Sequence, residues 1–151
     1  MRGLLAAALL AGCASPPTQL VVVVDSNLDV PLELDLVEVA VQGPDGVTTT
    51  TPQALGGAGA PSFPLTVGVA PGGEALGPVT VTALGRLGDV EVVRQSATTT
   101  LVLGETRTLH LVLYRSCVGR QCGGGRTCDG AGGGALERGE LPAWTGTPPP
   151  Y

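Results

Sequence analysis

The chain has 151 residues, a formal net charge of −5, and no lysine or isoleucine; Gly, Ala, Val, Leu and Pro dominate. That length suits one domain with a modest core plus a tail, and a chain of this size removes roughly two-thirds of its unfolded surface from water. Thirteen acids against eight basic residues argue against nucleic acid as a partner, because phosphate binding needs clustered positive charge.

The amino terminus reads as an export signal over residues 1–12. Arg2 supplies a positive start, and residues 4–11 are an unbroken apolar run. Leu10, Ala11, Gly12 and Cys13 then form a lipobox, the tetrapeptide at which a bacterial pre-protein is cut and lipidated; Ala11 and Gly12 are small enough for a signal peptidase. A membrane-spanning helix would need about 20 apolar residues, and the run is far shorter. Cys13 is therefore the expected lipid-attachment site. Two or more acyl chains anchor stably, at about 0.8 kcal/mol per buried methylene. Residues 13–18 form a short spacer containing Pro16 and Pro17. Ala14 stands where enterobacterial inner-membrane lipoproteins carry a retaining aspartate, which favours the outer membrane.

Residues 19–115 carry strand patterns separated by turn signals. Residues 19–24 are an apolar β-branched run, the mark of a strand covered on both faces. Leu32, Leu34 and Leu36 alternate with acids, and Val37, Val39 and Val41 alternate after a slip of one position, which predicts a bulge or two segments. Gly43-Pro44-Asp45-Gly46 is a turn, with a return strand from Val47 to Thr51. Residues 52–62 read as a loop. Phe63, Leu65, Val67 and Val69 alternate, as do Val79, Val81 and Ala83. A turn over 85–89 leads into residues 90–97, and Leu109, Leu111 and Leu113 make one face of the last strand. No segment sustains a helical period. About seven strands in under a hundred residues predict an all-β, antiparallel sandwich of immunoglobulin or fibronectin III size. Size and strand count carry that expectation, and the topology stays open.

Residues 116–134 change character. Cys117, Cys122 and Cys128 lie amid Gly and Arg, and in an exported chain disulfides are the default. With Cys13 lipidated, one bridge and one thiol are expected; Cys122–Cys128 and Cys117–Cys128 are the leading pairs, since Gly-rich spacers bend to the required separation. This loop is expected to lie outside the sandwich and to contribute little to its melting temperature. Residues 135–151 read as a disordered Pro-rich tail bearing Trp144.

Several of these pieces together resemble a group of uncharacterised lipoproteins of myxobacteria: the lipobox, residues 21–28 (Val-Val-Val-Val-Asp-Ser-Asn-Leu), Pro31, the turn at 43–46, and the run from Leu111 to Cys117 leading to Cys122 and Cys128. Such tails usually continue to a fourth cysteine, where this chain has Gly130 to Gly134. The resemblance implies envelope location and architecture and brings no activity.

Few residues carry candidate chemistry. Asp25, Asn27 and Asp29 have the alternate spacing that opens a calcium loop, but Val30 and Leu36 occupy the places of the needed glycine and bidentate acid. An Asx-type turn is the simpler reading. His110 falls on the face of Thr108 and Val112, away from the leucines. No serine or cysteine sits in a nucleophile-elbow setting, and acid, base and nucleophile do not converge in any motif. The expectation is a non-enzymatic, cofactor-free envelope protein, membrane-held through its lipid, with a structural role or a protein partner. The alternative is a binding module for envelope glycan or a cation.

Overall fold

The structure is a computed structural model describing residues 15–151. Seven strands build two facing sheets: β1 Gln19–Ser26, β2 Leu36–Gln42, β3 Thr48–Ala54, β4 Leu65–Val69, β5 Val79–Leu87, β6 Val90–Thr99 and β7 Thr106–Leu113. One sheet has the order β4-β1-β7 and the other β3-β2-β5-β6. Two short strands, β8 Arg126–Thr127 and β9 Gly134–Ala135, pair with each other. The all-β sandwich expected from the strand pattern is present.

Its topology is not that of an immunoglobulin domain, where the first, second, fifth and fourth strands share a sheet. Here β1 sits between β4 and β7, antiparallel to the former and parallel to the latter from Gln19↔Thr106 to Ser26↔Leu113. The parallel pair joins the two ends of the sandwich chain, so no hairpin could make it, and five strands serve as the crossover.

The sequence of β1 follows from this central position. Leu20, Val22 and Val24 face the inter-sheet core with Leu109, Leu111 and Leu113. Val21, Val23 and Asp25 alternate to the outer face beside Thr108, His110 and Val112 and are buried as well. The opposite sheet contributes Val37, Val39, Val79, Val81, Ala83, Val93 and Ala97. Gly85 permits the sheets to close: a Cβ there would lie 2.6 Å from both Leu34 and Val93.

The phase slip at Leu36 has a simple origin. Residues 30–33 form a turn and β2 begins only at Leu36, so two segments, not a bulge, account for it. Leu34 drops fully into the core while Leu32 stays 79% exposed. Pro52 lies within β3, which extends beyond the expected end at Thr51. An edge strand tolerates a residue with no N–H to donate.

Within the carboxy-terminal residues 135–151, expected to be disordered, residues 136–144 are held along two edge strands, β6 and β7. Thr98 of β6 donates its N–H to Leu136 (2.8 Å) and accepts from Arg138 (2.8 Å). Thr108 of β7 donates to Pro142 (2.8 Å), and Thr106 accepts from Trp144 (2.9 Å). Leu136 also donates to Gly125 (3.0 Å). Unpaired backbone groups at a sheet edge seek such partners, and the need is independent of side-chain periodicity. Ending the chain at Ala135 removes these five bonds. At roughly 0.5–1.5 kcal/mol net each, with some ordering entropy recovered, we expect a loss of about 2–5 kcal/mol in urea unfolding and self-association through the bared edges in sedimentation. An unchanged, monomeric truncate would contradict the assignment.

Candidate functional site

Leu10, Ala11, Gly12 and Cys13 lie outside the described residues. The spacer they lead into is fixed at its far end. Thr18 Oγ1 accepts from the Gly104 N–H (2.8 Å), and the Thr106 hydroxyl donates to the Pro17 carbonyl (3.2 Å). The chain thus enters the sandwich alongside the β6–β7 loop.

The three oxygen-bearing residues of the incomplete calcium loop are each engaged separately. Asp25 is buried, and its Oδ1 accepts from the Ser26 N–H (2.8 Å). Asn27 Oδ1 accepts from the Arg115 N–H (2.7 Å). Asp29 pairs with the Arg115 guanidinium (3.3 Å), which also holds Glu33. Glu33 closes the loop on itself: its Oε2 accepts from the Asp29 N–H (2.8 Å) and its own N–H donates to the Asp29 carbonyl (2.7 Å). The Arg115 side chain first, and the Asp29 N–H second, hold the Glu33 carboxyl below its usual range. Among the described residues no group of three or more His, Cys, Asp or Glu side chains gathers as a metal site. Asp25 at the end of β1, Asn27 and Asp29 thus engage the Ser26 N–H, the Arg115 N–H and the Arg115 guanidinium respectively; the local turn bond of the expected Asx type is made instead by Ser26, whose Oγ accepts from the Leu28 N–H (3.1 Å).

The cysteine segment is joined to the core. One turn of 3₁₀ helix, Arg115–Cys117, carries Cys117 inward from the end of β7. Cys117 bonds to Cys128 with a Cα separation of 5.8 Å, and Cys122 is free and exposed. Of the two expected pairings, this one is made. Both half-cystines are almost fully buried within the core cluster, so the bridge is not the outlying staple the sequence suggested. Gln95, buried on β6, spans the gap between sheets: its amide nitrogen donates to the Cys128 carbonyl (3.2 Å) and its oxygen accepts from the Val112 N–H. Thr127 Oγ1 accepts from the Ser96 N–H (2.9 Å). Beside this clasp runs a groove of about 670 Å³, lined on one wall by Glu91, Arg94 and Ser96 and on the other by Arg120, Gln121 and Cys122.

His110 stands on the outer face of β7 as alternation required, opposite Val23. With Thr108 it shares a cavity of about 600 Å³ with Arg138 and the run Pro148 to Pro150. Its Nε2 is buried without a hydrogen-bond partner among the described residues. Burial pushes its pKa below the ordinary 6.5, while the Asp25 carboxylate pulls the other way. Trp144 is half-buried, with its backbone tied to β7. The role of residues 136–144 in sealing the sheet edges is what sequence reasoning missed; only the apolar Leu136, Leu141 and Trp144 among polar neighbours hinted at it.

Comparison with protein-family models, curated proteins and solved structures gives no match. Function therefore rests on the residues themselves.

Two outcomes are expected. Replacing Cys117 and Cys128 by serine costs about 2–4 kcal/mol, in the ordinary range for a native bridge, because the change also reaches the core; an unchanged melting temperature would restore the outlying-staple reading. For His110, the unfolded chain takes up a proton that the folded chain resists. Stability is then full above about pH 6.5 and falls as pH drops from there toward the lowered folded value. Denaturant midpoints at about pH 7.5 and 5.5 should fall less for His110→Gln than for the natural chain. Equal falls would remove His110 as the cause.

Proposed function

We propose that this chain is a lipid-anchored cell-envelope protein of a Gram-negative bacterium, presenting a rigid β-sandwich to a protein partner. The observation that carries the reading is the sequence Leu10-Ala11-Gly12-Cys13 behind an apolar run, followed by only a few residues before β1 begins at Gln19. Supporting it, the Cys117–Cys128 bridge suits an oxidising, exported compartment. The resemblance to myxobacterial lipoproteins supports an envelope location, and the residue Ala14 favours the outer membrane. No small-molecule substrate, cofactor or catalytic role is assigned, because the sequence brings no acid, base and nucleophile into one motif.

On this reading the end of the sandwich away from the spacer faces outward. It carries Leu32 and Val90, 79% and 65% exposed, and these are the apolar groups it offers to a partner. The second reading, a module for envelope glycan, draws support from the polar groove beside Glu91, Arg94, Ser96 and Gln121. Co-sedimentation with purified peptidoglycan and crosslinking in native envelopes separate the two.

The anchor is tested by Cys13→Ser. We expect the natural protein in the membrane fraction with an acylated amino-terminal peptide by mass spectrometry, and the variant unprocessed or soluble. An unmodified Cys13 in membrane-bound natural protein would overturn the reading.

A further inference from the structure

We propose that the β6–β7 loop is a lipid-contacting element, with Val102 and Leu103 seated in the headgroup–acyl boundary beside the anchor. The inference rests on the lipid-anchor reading and adds a second membrane contact to it.

Three observations converge on this loop. The first is its place. Because β1 and β7 are parallel and in register, both begin at the same end of the sandwich, and the incoming spacer runs beside the loop. The Gly104–Thr18 and Thr106–Pro17 hydrogen bonds fix that adjacency at 2.8 and 3.2 Å. Thr18 lies five residues after Cys13. At about 3.3–3.6 Å per extended residue, the acylated cysteine can be no more than roughly 18 Å from Thr18. The loop cannot leave the neighbourhood of the bilayer surface.

The second observation is what the loop exposes. Leu103 is 77% exposed and Val102 40%. Turn tips ordinarily carry Gly, Pro, Asn, Asp or Ser, so two adjacent aliphatic side chains at a tip are the departure. A single exposed leucine means little by itself; its position next to the anchor gives this pair its significance.

The third is rigidity. Leu101 is buried, and its N–H donates to the Leu76 carbonyl (2.8 Å). The Glu105 N–H closes the turn on the Val102 carbonyl (3.1 Å), with Gly104 at φ 70°. Insertion would therefore require little further ordering of the backbone. The one carboxylate of the loop, Glu105, is paired with Arg107. No arginine lies in residues 100–105, so the contact depends on apolar insertion and needs no anionic lipid.

The experiment uses the full acylated chain in zwitterionic phosphatidylcholine vesicles, with Cys122→Ser to remove the exposed thiol. A polarity-sensitive fluorophore is attached through Leu103→Cys or, as a control at the opposite end of the sandwich, through Leu32→Cys. Both sites are exposed to a similar degree, so neither substitution disturbs the core. We expect the probe at position 103 to shift to the blue on reconstitution and to lose emission to nitroxide-labelled lipid, while the probe at position 32 keeps its aqueous spectrum. Co-flotation with equal, aqueous spectra at both positions overturns the loop contact and leaves the anchor standing. Failure to co-float overturns the anchor and the loop contact together.

Discussion

Two strand edges dominate the architecture. The sheets β4-β1-β7 and β3-β2-β5-β6 have four edge strands, of which β6 and β7 lie against each other, each with a row of backbone donors and acceptors. Such edges invite pairing with other chains. The carboxy-terminal third answers them one group at a time. Gly119 donates to Val92, Thr127 accepts from Ser96, and residues 136–138 bracket Thr98 on β6. On β7, Pro142 and Trp144 satisfy Thr108 and Thr106, and Gln95 reaches across from β6 to Val112. The Cys117–Cys128 bridge holds the beginning of this segment against the core, so the remainder starts from a fixed point.

This arrangement explains a chain with few aromatic residues and a core made almost wholly of Val, Leu and Ala. Small branched side chains bury less area each than aromatics. Stability is supplemented by a disulfide and by edge bonds contributed from outside the sandwich. Two of the polar side chains buried in the process are matched to partners: Gln95 uses both ends of its amide, and Thr127 its hydroxyl.

Where the sequence was legible, a side-chain period made it so. The β1 run identified a strand covered on both faces, and the alternation of Val79 to Ala83 and of Leu109, Leu111 and Leu113 identified strands and their core faces. The slip at Leu36 was visible but ambiguous, because both a bulge and a new segment shift the phase by one. Three features left no periodic trace. The parallel β1–β7 pair depends on which strands meet, a choice that alternation does not encode. Pro52 belongs to a strand only because β3 is an edge. Residues 136–144 bind through their backbone, and backbone hydrogen bonding is available to nearly any sequence. The cysteine pairing stayed open between two choices because spacing alone admits both; the burial of Cys117 at the end of β7 decides it. Of the candidate calcium residues, Asn27 and Asp29 meet Arg115, a partner more than eighty residues away that local spacing does not reveal.

The carboxy-terminal segment is part of the folded domain. Amide hydrogen exchange of the protein tests this most directly. The amides of Thr98, Thr108 and Val112, and those of Leu136, Arg138 and Trp144, should exchange slowly, as part of the same folded unit as β1. Rapid exchange of all six while β1 stays protected would show the sandwich to be complete without its tail and would contradict the account.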